Sequence, residues 1–372
     1  MSVSDFQLQK IFSYKGKSWQ ELLDNSLINI EDFNPFFNIF FKESNNYNYL
    51  NDIQRVIKKY PMKINNYYLS LIQKINDPIW KQVIPDILEL SETSDSYDPL
   101  NEENQSPVPD LIHRYPDRVV FLISNACAVF CRFCMRKRKI GNYKKENDKH
   151  IESGISYISK NKAIKEVILS GGDPFILSDE KIDYILKQLT TIKHVEIIRI
   201  HSRIPCTLPQ RITADLVNIL KQYHPIYINI HFNHPDEITN QSIYACKLLA
   251  DAGIPLGSQT VLLKNVNDNE DIIKKLMQKL LSIRVKPYYL HHPDLVRGTK
   301  HFRVSPEKGL KILHSMRGHI SGMCIPNYMI DLPEGEGKIP IIPDYIKHKN
   351  SNVWQIEGYK GNRINYPIDN IK

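Results

Sequence analysis

The sequence predicts an α/β protein: a partial (β/α)6 TIM-like barrel preceded by an N-terminal helical region. Three observations lead there. From residue 118 onward, short runs rich in β-branched residues alternate with longer amphipathic stretches. The alternation repeats six times, which calls for parallel strands joined by helical crossovers. The most distinctive polar residues each fall within a strand or just after one, and a barrel gathers its functional groups at the C-terminal ends of its strands. Six such units also suit a doubly wound sheet; the convergence at the strand ends favours the barrel.

Residues 1–108 read as a helical region followed by a linker. Helix-like apolar spacing occurs at 19–23, 50–60 and 77–90, with a polar loop at 45–49. The stretches 91–98 and 101–109 are poor in apolar residues and rich in turn formers, so they join the helical region to the main domain. The core spans 109–320. Its strands are expected at 119–124, 166–170, 195–200, 226–231, 256–263 and 285–290, and its helices at 149–160, 179–191, 212–222, 237–252, 268–283 and 306–317. Residues 321–372 form a C-terminal segment, with a glycine-containing turn at 333–338 and a hairpin at 353–366.

The 372 residues are 42% hydrophobic and 24% charged. Mean hydropathy is −0.37, and no run of about 18 apolar residues occurs, so a membrane span is not expected. The first residues, MSVSDFQLQK, lack the apolar core of a secretory signal, which places the protein in the cytoplasm. The net charge of +8 fits a solvated basic surface as well as phosphate or nucleic-acid contacts. Of the six cysteines, Cys206, Cys246 and Cys324 stand alone in apolar or mixed settings and read as small buried residues.

Cys127, Cys131 and Cys134 form C-x3-C-x2-C directly after the first core strand. Zinc in a structural site takes four ligands, and disulfides take pairs. Three thiolates on a four-iron cube leave one iron open to a small molecule. A zinc site would need a fourth ligand such as the distant His150. The basic residues between 135 and 145 motivate an alternative of another class, a zinc-stabilised RNA-binding module, against which the barrel-like repeat argues.

The cysteine spacing after strand one resembles that of the radical S-adenosylmethionine enzymes, and Gly171-Gly172-Asp173 fits their glycine-rich motif after strand two. Further segments narrow the likeness: HRYPDR at 113–118, CRFCMRKR at 131–138, LSGGD at 169–173, LPQRIT at 208–213, HFNHPDEIT at 231–239, LLADAGIPLG at 248–257, and HFR at 301–303 with the glycine-rich tail. Together they resemble the lysine 2,3-aminomutase family over residues 62–366.

That resemblance implies a 4Fe-4S cluster on Cys127, Cys131 and Cys134, with S-adenosyl-L-methionine at the open iron. It implies cofactor-binding roles for Gly171, Gly172, Asp173, His231 and Gln259. Pyridoxal 5'-phosphate would be carried by Lys338 as a Schiff base, with Arg114 and Arg118 at its phosphate. Arg136 would hold the substrate α-carboxylate, while Lys137 and Lys139 face water. Asp294 and Asp331 would hold the side-chain ammonium of L-lysine. The reaction implied is an isomerisation, L-lysine to L-β-lysine, fed electrons by a donor such as flavodoxin or ferredoxin. Lysine isomerisation for elongation factor P, or another amino acid substrate, is the alternative. Nucleic acid and membrane partners are not implied, and homo-oligomer formation is left open. The sequence departs from the family in two ways. Glu334 and Glu336 stand where glycines are usual, and no cysteine follows Cys324, so the zinc segment of the clostridial-type enzyme is not expected.

Overall fold

The computed structural model describes residues 13–40, 47–91, 95–141, 148–350 and 352–368. Nine strands form one sheet in chain order. They are β1 (Leu111–Tyr115), β2 (Arg118–Ser124), β3 (Glu166–Gly171), β4 (Ile197–Ser202), β5 (Ile226–His231), β6 (Leu256–Val261), β7 (Val285–His291), β8 (Asn327–Leu332) and β9 (Gly337–Pro340). From β2 to β8 each strand pairs in parallel with the next, as the six expected strand–helix units require. β1 and β9 close the two edges with antiparallel pairings. Residues from β1 to β9 line a single cavity, so the sheet curves around it as a partial barrel.

The crossover helices begin where the local chemistry satisfies their free N–H groups. Ser178 caps Asp179–Thr190, Asn269 caps Glu270–Ser282, and Ser305 caps Pro306–Met316. Their apolar faces pack on the sheet, burying Ile185, Leu189, Leu276, Leu280 and Ile312 with the strand residues Val167, Ile200 and Ile228. Close packing sets some positions tightly. A Cβ on Gly154 would meet the Phe121 ring at 2.4 Å.

Several boundaries differ from the sequence reading. The stretch 77–90 splits into Pro78–Val83 and the 3-10 turn Ile87–Leu90. Pro85 lies between them and cannot continue a helix. The helix expected from 237 starts at Asn240, because Thr239 caps it and Pro235–Glu237 forms a separate turn. The third core strand is shifted to Ile197–Ser202. Of the expected polar loop at 45–49, residues 45 and 46 lie outside the described residues, and the rest opens the helix Tyr47–Lys59. Residues 142–145 of the basic stretch, and residues 92–94 of the linker, also fall outside.

The terminal hairpin is part of a separate antiparallel sheet of three strands, β10 (Ile346–Lys349), β11 (Val353–Glu357) and β12 (Arg363–Pro367). β1, β8 and β9 were not anticipated. They are short and carry His113, Arg114, Asp331 and Lys338, which mask an apolar strand pattern.

The N-terminal helices pack Phe33, Phe36, Phe37, Tyr49 and Trp80 into one aromatic cluster. Ile64 then bridges to Val129, and Asn65 Nδ2 donates to the carbonyls of Ala128 (3.3 Å) and Thr207 (2.9 Å). This region therefore braces the cysteine loop. Among the described residues, no helix is long and apolar enough to cross a membrane.

Candidate active site

One cavity of about 490 Å³ opens at the C-terminal ends of the parallel strands. Every site residue expected from the sequence lines it, including the three cysteines, the Gly171–Gly172 pair, Arg136, Asp294 and Lys338. Residues separated by more than 200 positions meet because each crossover returns the chain to the same end of the sheet.

Cys127, Cys131 and Cys134 are free and partly exposed on one wall. Burial pushes the Cys127 thiol up, with help from the nearby Asp173 charge, and pushes Cys134 up to about 11. Iron would reverse that cost, because it binds the deprotonated form. No three His, Cys, Asp or Glu side chains among the described residues close around a single ion. Three thiolates leave one iron of a four-iron cube without a protein ligand, whereas a structural zinc takes four ligands. His150, the distant fourth-ligand candidate, instead pairs with Asp110 at 2.8 Å.

The basic residues of the loop have partners, which corrects part of the sequence reading. Lys137 does not face water. Its Nζ donates to Glu89 Oε2 at 2.6 Å and to the Arg132 carbonyl at 2.9 Å, and burial pulls its pKa down to about 8. Arg132 shares the same fully buried Glu89 (2.7 Å). Lys139 is partly exposed and pairs with Glu103 at 3.0 Å. The positive charge beside the cysteines therefore serves first to anchor their loop to the N-terminal region.

The two glycines solve a packing problem between strands. Gly171 has φ +134°, and a Cβ there would lie 2.1 Å from the Ser124 carbonyl. A Cβ on Gly172 would lie 2.2 Å from the Ala126 carbonyl. In return, the Gly172 and Asp173 N–H groups donate to those carbonyls at 2.6 and 2.8 Å. The close approach is to the start of the cysteine loop. Asp173 is likewise committed to the protein. Its carboxylate accepts from Ser202 Oγ and the Arg203 N–H, both at 2.7 Å, and burial still raises its pKa to about 6. His231 Nε2 meets Asn233 Oδ1 at 2.9 Å, and burial with the Arg203 charge keeps the ring neutral. Gln259 reaches the cavity from β6.

At the opposite wall, β8 and β9 place Asp331 directly across from Lys338. The turn between them uses Glu334 and Gly335 at φ +58° and +82°, so the glutamate at 334 is accommodated in a left-handed conformation. Lys338 Nζ is ion-paired with Asp331 and lies 3.3 Å from His291 Nδ1. The Lys338 N–H donates to Tyr115 Oη at 2.8 Å. Burial would raise the Asp331 pKa, but His291, with Nδ1 at 3.7 Å, and the Lys338 charge hold it at about 2. Asp294 is different. It has no hydrogen-bond partner among the described residues, and burial with repulsion from Asp331 raises its pKa to about 7.

These residues and their order match known proteins along most of the chain. Residues 121–276 match the radical SAM superfamily, and residues 313–369 match the lysine-2,3-aminomutase C-terminal family. An L-lysine 2,3-aminomutase of Methanococcus maripaludis is 48% identical over 94% of this chain and 81% of its own length. One of Acetoanaerobium sticklandii is 43% identical over 97% of this chain and 87% of its own. The chain belongs to the lysine 2,3-aminomutase family. A glutamate 2,3-aminomutase of Clostridioides difficile, 41% identical over 94% of this chain and 82% of its own length, falls in the same set. The reaction those names state is an isomerisation. Membership of the radical SAM superfamily implies S-adenosylmethionine and a 4Fe-4S cluster.

Within this family's site, sequence reasoning missed the residues that hold the named ones. Glu102, in the linker, takes Arg136 along one edge and Arg138 with its Oε2 (3.1 Å). Arg114 donates to Gln105 Oε1 (2.7 Å) and the Leu100 carbonyl (2.9 Å), and Arg118 lies 4.1 Å over the Tyr115 ring. Arg199 stands on the same cavity wall, paired with Glu166 at 2.7 Å, and its buried Nε has no partner among the described residues. Arg203 stands directly after β4, with its side chain buried beside Cys131.

Proposed function

We propose that this chain is a pyridoxal-phosphate-dependent radical aminomutase that moves the amino group of L-lysine from C2 to C3. The observation that carries the reading is one cavity with the cysteine loop and Arg136 on one wall and Lys338, Asp331 and Asp294 on another. When bound, the cluster with S-adenosylmethionine supplies a carbon radical, and pyridoxal phosphate supplies an electron-delocalising carbonyl.

The donor set fits both groups. Three open thiols suit the cluster. Lys338, with Arg114, Arg118 and the unpartnered Nε of Arg199, suits an aldehyde-bearing phosphate.

The chain's own residues then bind and orient. Asp331 and His291 hold the Lys338 amine at the mouth of β9. Glu102 occupies the Nε edge of Arg136, and at the outer end Nη1 makes only a long 3.4 Å contact to Ser170 Oγ, which a substrate carboxylate would replace. Asp294 lacks a partner and gains one when an ammonium arrives. Asp331 is taken by Lys338 here, so Asp294 is the open carboxylate at that end; it favours a substrate ending in a cation and repels a glutamate side chain. The buried walls keep water from a reactive intermediate.

The test is anaerobic reconstitution with iron, sulfide, pyridoxal phosphate and S-adenosylmethionine, then product analysis with lysine, arginine, glutamate and alanine. β-Lysine from lysine is expected. A β-amino acid from glutamate instead would overturn the substrate assignment.

A further inference from the structure

Behind Cys131 lies a buried charged assembly that no part of the proposed reaction uses. Arg203 follows β4 and is 8% exposed. Its Nη1 donates to Cys131 Sγ at 2.7 Å. Its Nη2 donates to Glu237 Oε1 (2.7 Å), Gln82 Oε1 (2.6 Å) and Tyr68 Oη (3.1 Å). The Phe133 ring lies 5.2 Å from the guanidinium.

Glu237 is fully buried and saturated. Oε1 also accepts from Tyr68 Oη at 2.6 Å, and Oε2 accepts from the N–H groups of Asn233 and His234 at 2.5 and 2.9 Å. The Arg203 N–H is itself fixed by Asp173. The guanidinium thus has no freedom to turn away from the sulfur.

A buried ion pair adds little stability over apolar packing of the same volume. What this one supplies is an oriented N–H and a positive charge at one thiolate. Hydrogen bonds to cluster sulfurs and the net charge around them set the reduction potential of iron–sulfur clusters. We propose that Arg203, braced by Glu237, is the positioning residue for Cys131 and raises the reduction potential of the bound cluster. The inference rests on the cluster reading above.

On reduction the cluster gains one electron from an external one-electron donor, and all three thiolates stay bound. The added negative charge is stabilised by the adjacent guanidinium. Removing Arg203 makes the reduced form harder to reach. Removing the negative charge of Glu237 makes it easier. A purely structural defect has no reason to move the two in opposite directions.

The experiment is an EPR-monitored redox titration of the reconstituted holoprotein, with iron content measured on each sample. Arg203→Gln is expected to lower the reduced-to-oxidised ratio at a fixed potential by about tenfold, a shift of about 59 mV for one electron. Glu237→Gln is expected to shift the midpoint upward. An Arg203→Gln protein that keeps its cluster and the wild-type midpoint overturns the inference. If that variant fails to retain iron, Arg203→Lys, which keeps a charge but not the fixed fork, decides. A midpoint lowered from wild type supports the inference, and an unchanged or raised one overturns it. A wild-type protein that takes up no iron overturns the cluster reading, and this inference with it. An unchanged midpoint in an iron-replete variant overturns this inference alone.

Discussion

Glu102 grips Arg136 along one edge of the guanidinium, with Nη2 to Oε1 at 2.8 Å and Nε to Oε2 at 3.2 Å. The carboxylate is 3% exposed. Burial works to raise its pKa, but the two arginines hold it at about 2. A bidentate contact of this kind fixes the plane of the fork as well as its position. Glu102→Ala therefore leaves Arg136 present but unaimed. We expect KM for the amino acid to rise about tenfold or more with a smaller change in kcat, as for loss of a ground-state binding contact. Steady-state kinetics with saturating cofactors check this, and an unchanged KM would remove Glu102 from substrate orientation.

Asp294 gives the site a pH dependence. Its pKa of about 7 means that the carboxyl is largely protonated at pH 6 and ionised at pH 8. Binding of an ammonium needs the ionised form. KM for lysine is therefore expected to rise as pH falls through 7, and Asp294→Asn to lose both tight binding and that dependence. The linked stability effect has the opposite sign. A carboxyl whose folded pKa is raised costs stability above that pKa, and the cost fades as pH drops from about 7 toward 3.8. Asp294→Asn should thus melt higher than wild type at pH 8, with the gap narrowing toward pH 4. Thermal melts at the two pH values read it directly.

Tyr115 and Lys338 are coupled through one hydrogen bond, from the Lys338 N–H to Tyr115 Oη. Lys338→Ala should abolish the visible absorbance of bound pyridoxal phosphate. Tyr115→Phe leaves a partly buried N–H without its acceptor, which costs about 1–3 kcal/mol. It should weaken cofactor retention without removing it. Cofactor titration by absorbance separates the two, and equal loss in both would show that the tyrosine does more than position the strand.

Gly172→Ala places a methyl 2.2 Å from the Ala126 carbonyl, where neither backbone segment has room to move. The cysteine loop must shift. The purified variant is expected to hold far less iron than wild type and to melt several degrees lower, since strain of this kind costs about 1–3 kcal/mol or more. Wild-type iron content in that variant would show the strand–loop contact to be dispensable.

Glu89 ties the cysteine loop to the N-terminal region through Arg132 and Lys137. Despite complete burial, those two cations hold its pKa at about 2, against 4.5 when free. Its contribution is present above 4.5 and is lost as pH falls through 2. Acid unfolding of the wild type should steepen in that window. Glu89→Ala, which strands two buried cations, should cost about 3–5 kcal/mol at neutral pH. Denaturant melts measure both effects.

Much of this was legible in the sequence. Six apolar strand patterns separated by amphipathic helices mark the parallel core, because side-chain periodicity is a local property. Cys127, Cys131 and Cys134 were legible because their spacing is local too. Strands β8 and β9 were not, since Asp331 and Lys338 interrupt any apolar pattern and their pairing depends on a turn with Glu334 at positive φ. Lys137 read as a surface cation because its partner, Glu89, lies 48 residues away.

By itself, then, the sequence determined which residue types the chain carries, the period of its strands and helices, and the close spacing of its three thiols. Only the tertiary structure decided which charges face one another. Glu102 on Arg136, Glu237 on Arg203 and Asp331 on Lys338 are contacts made across crossovers and turns. Whether a buried charge is compensated depends on what the fold brings within a few ångströms, and no local pattern records that distance.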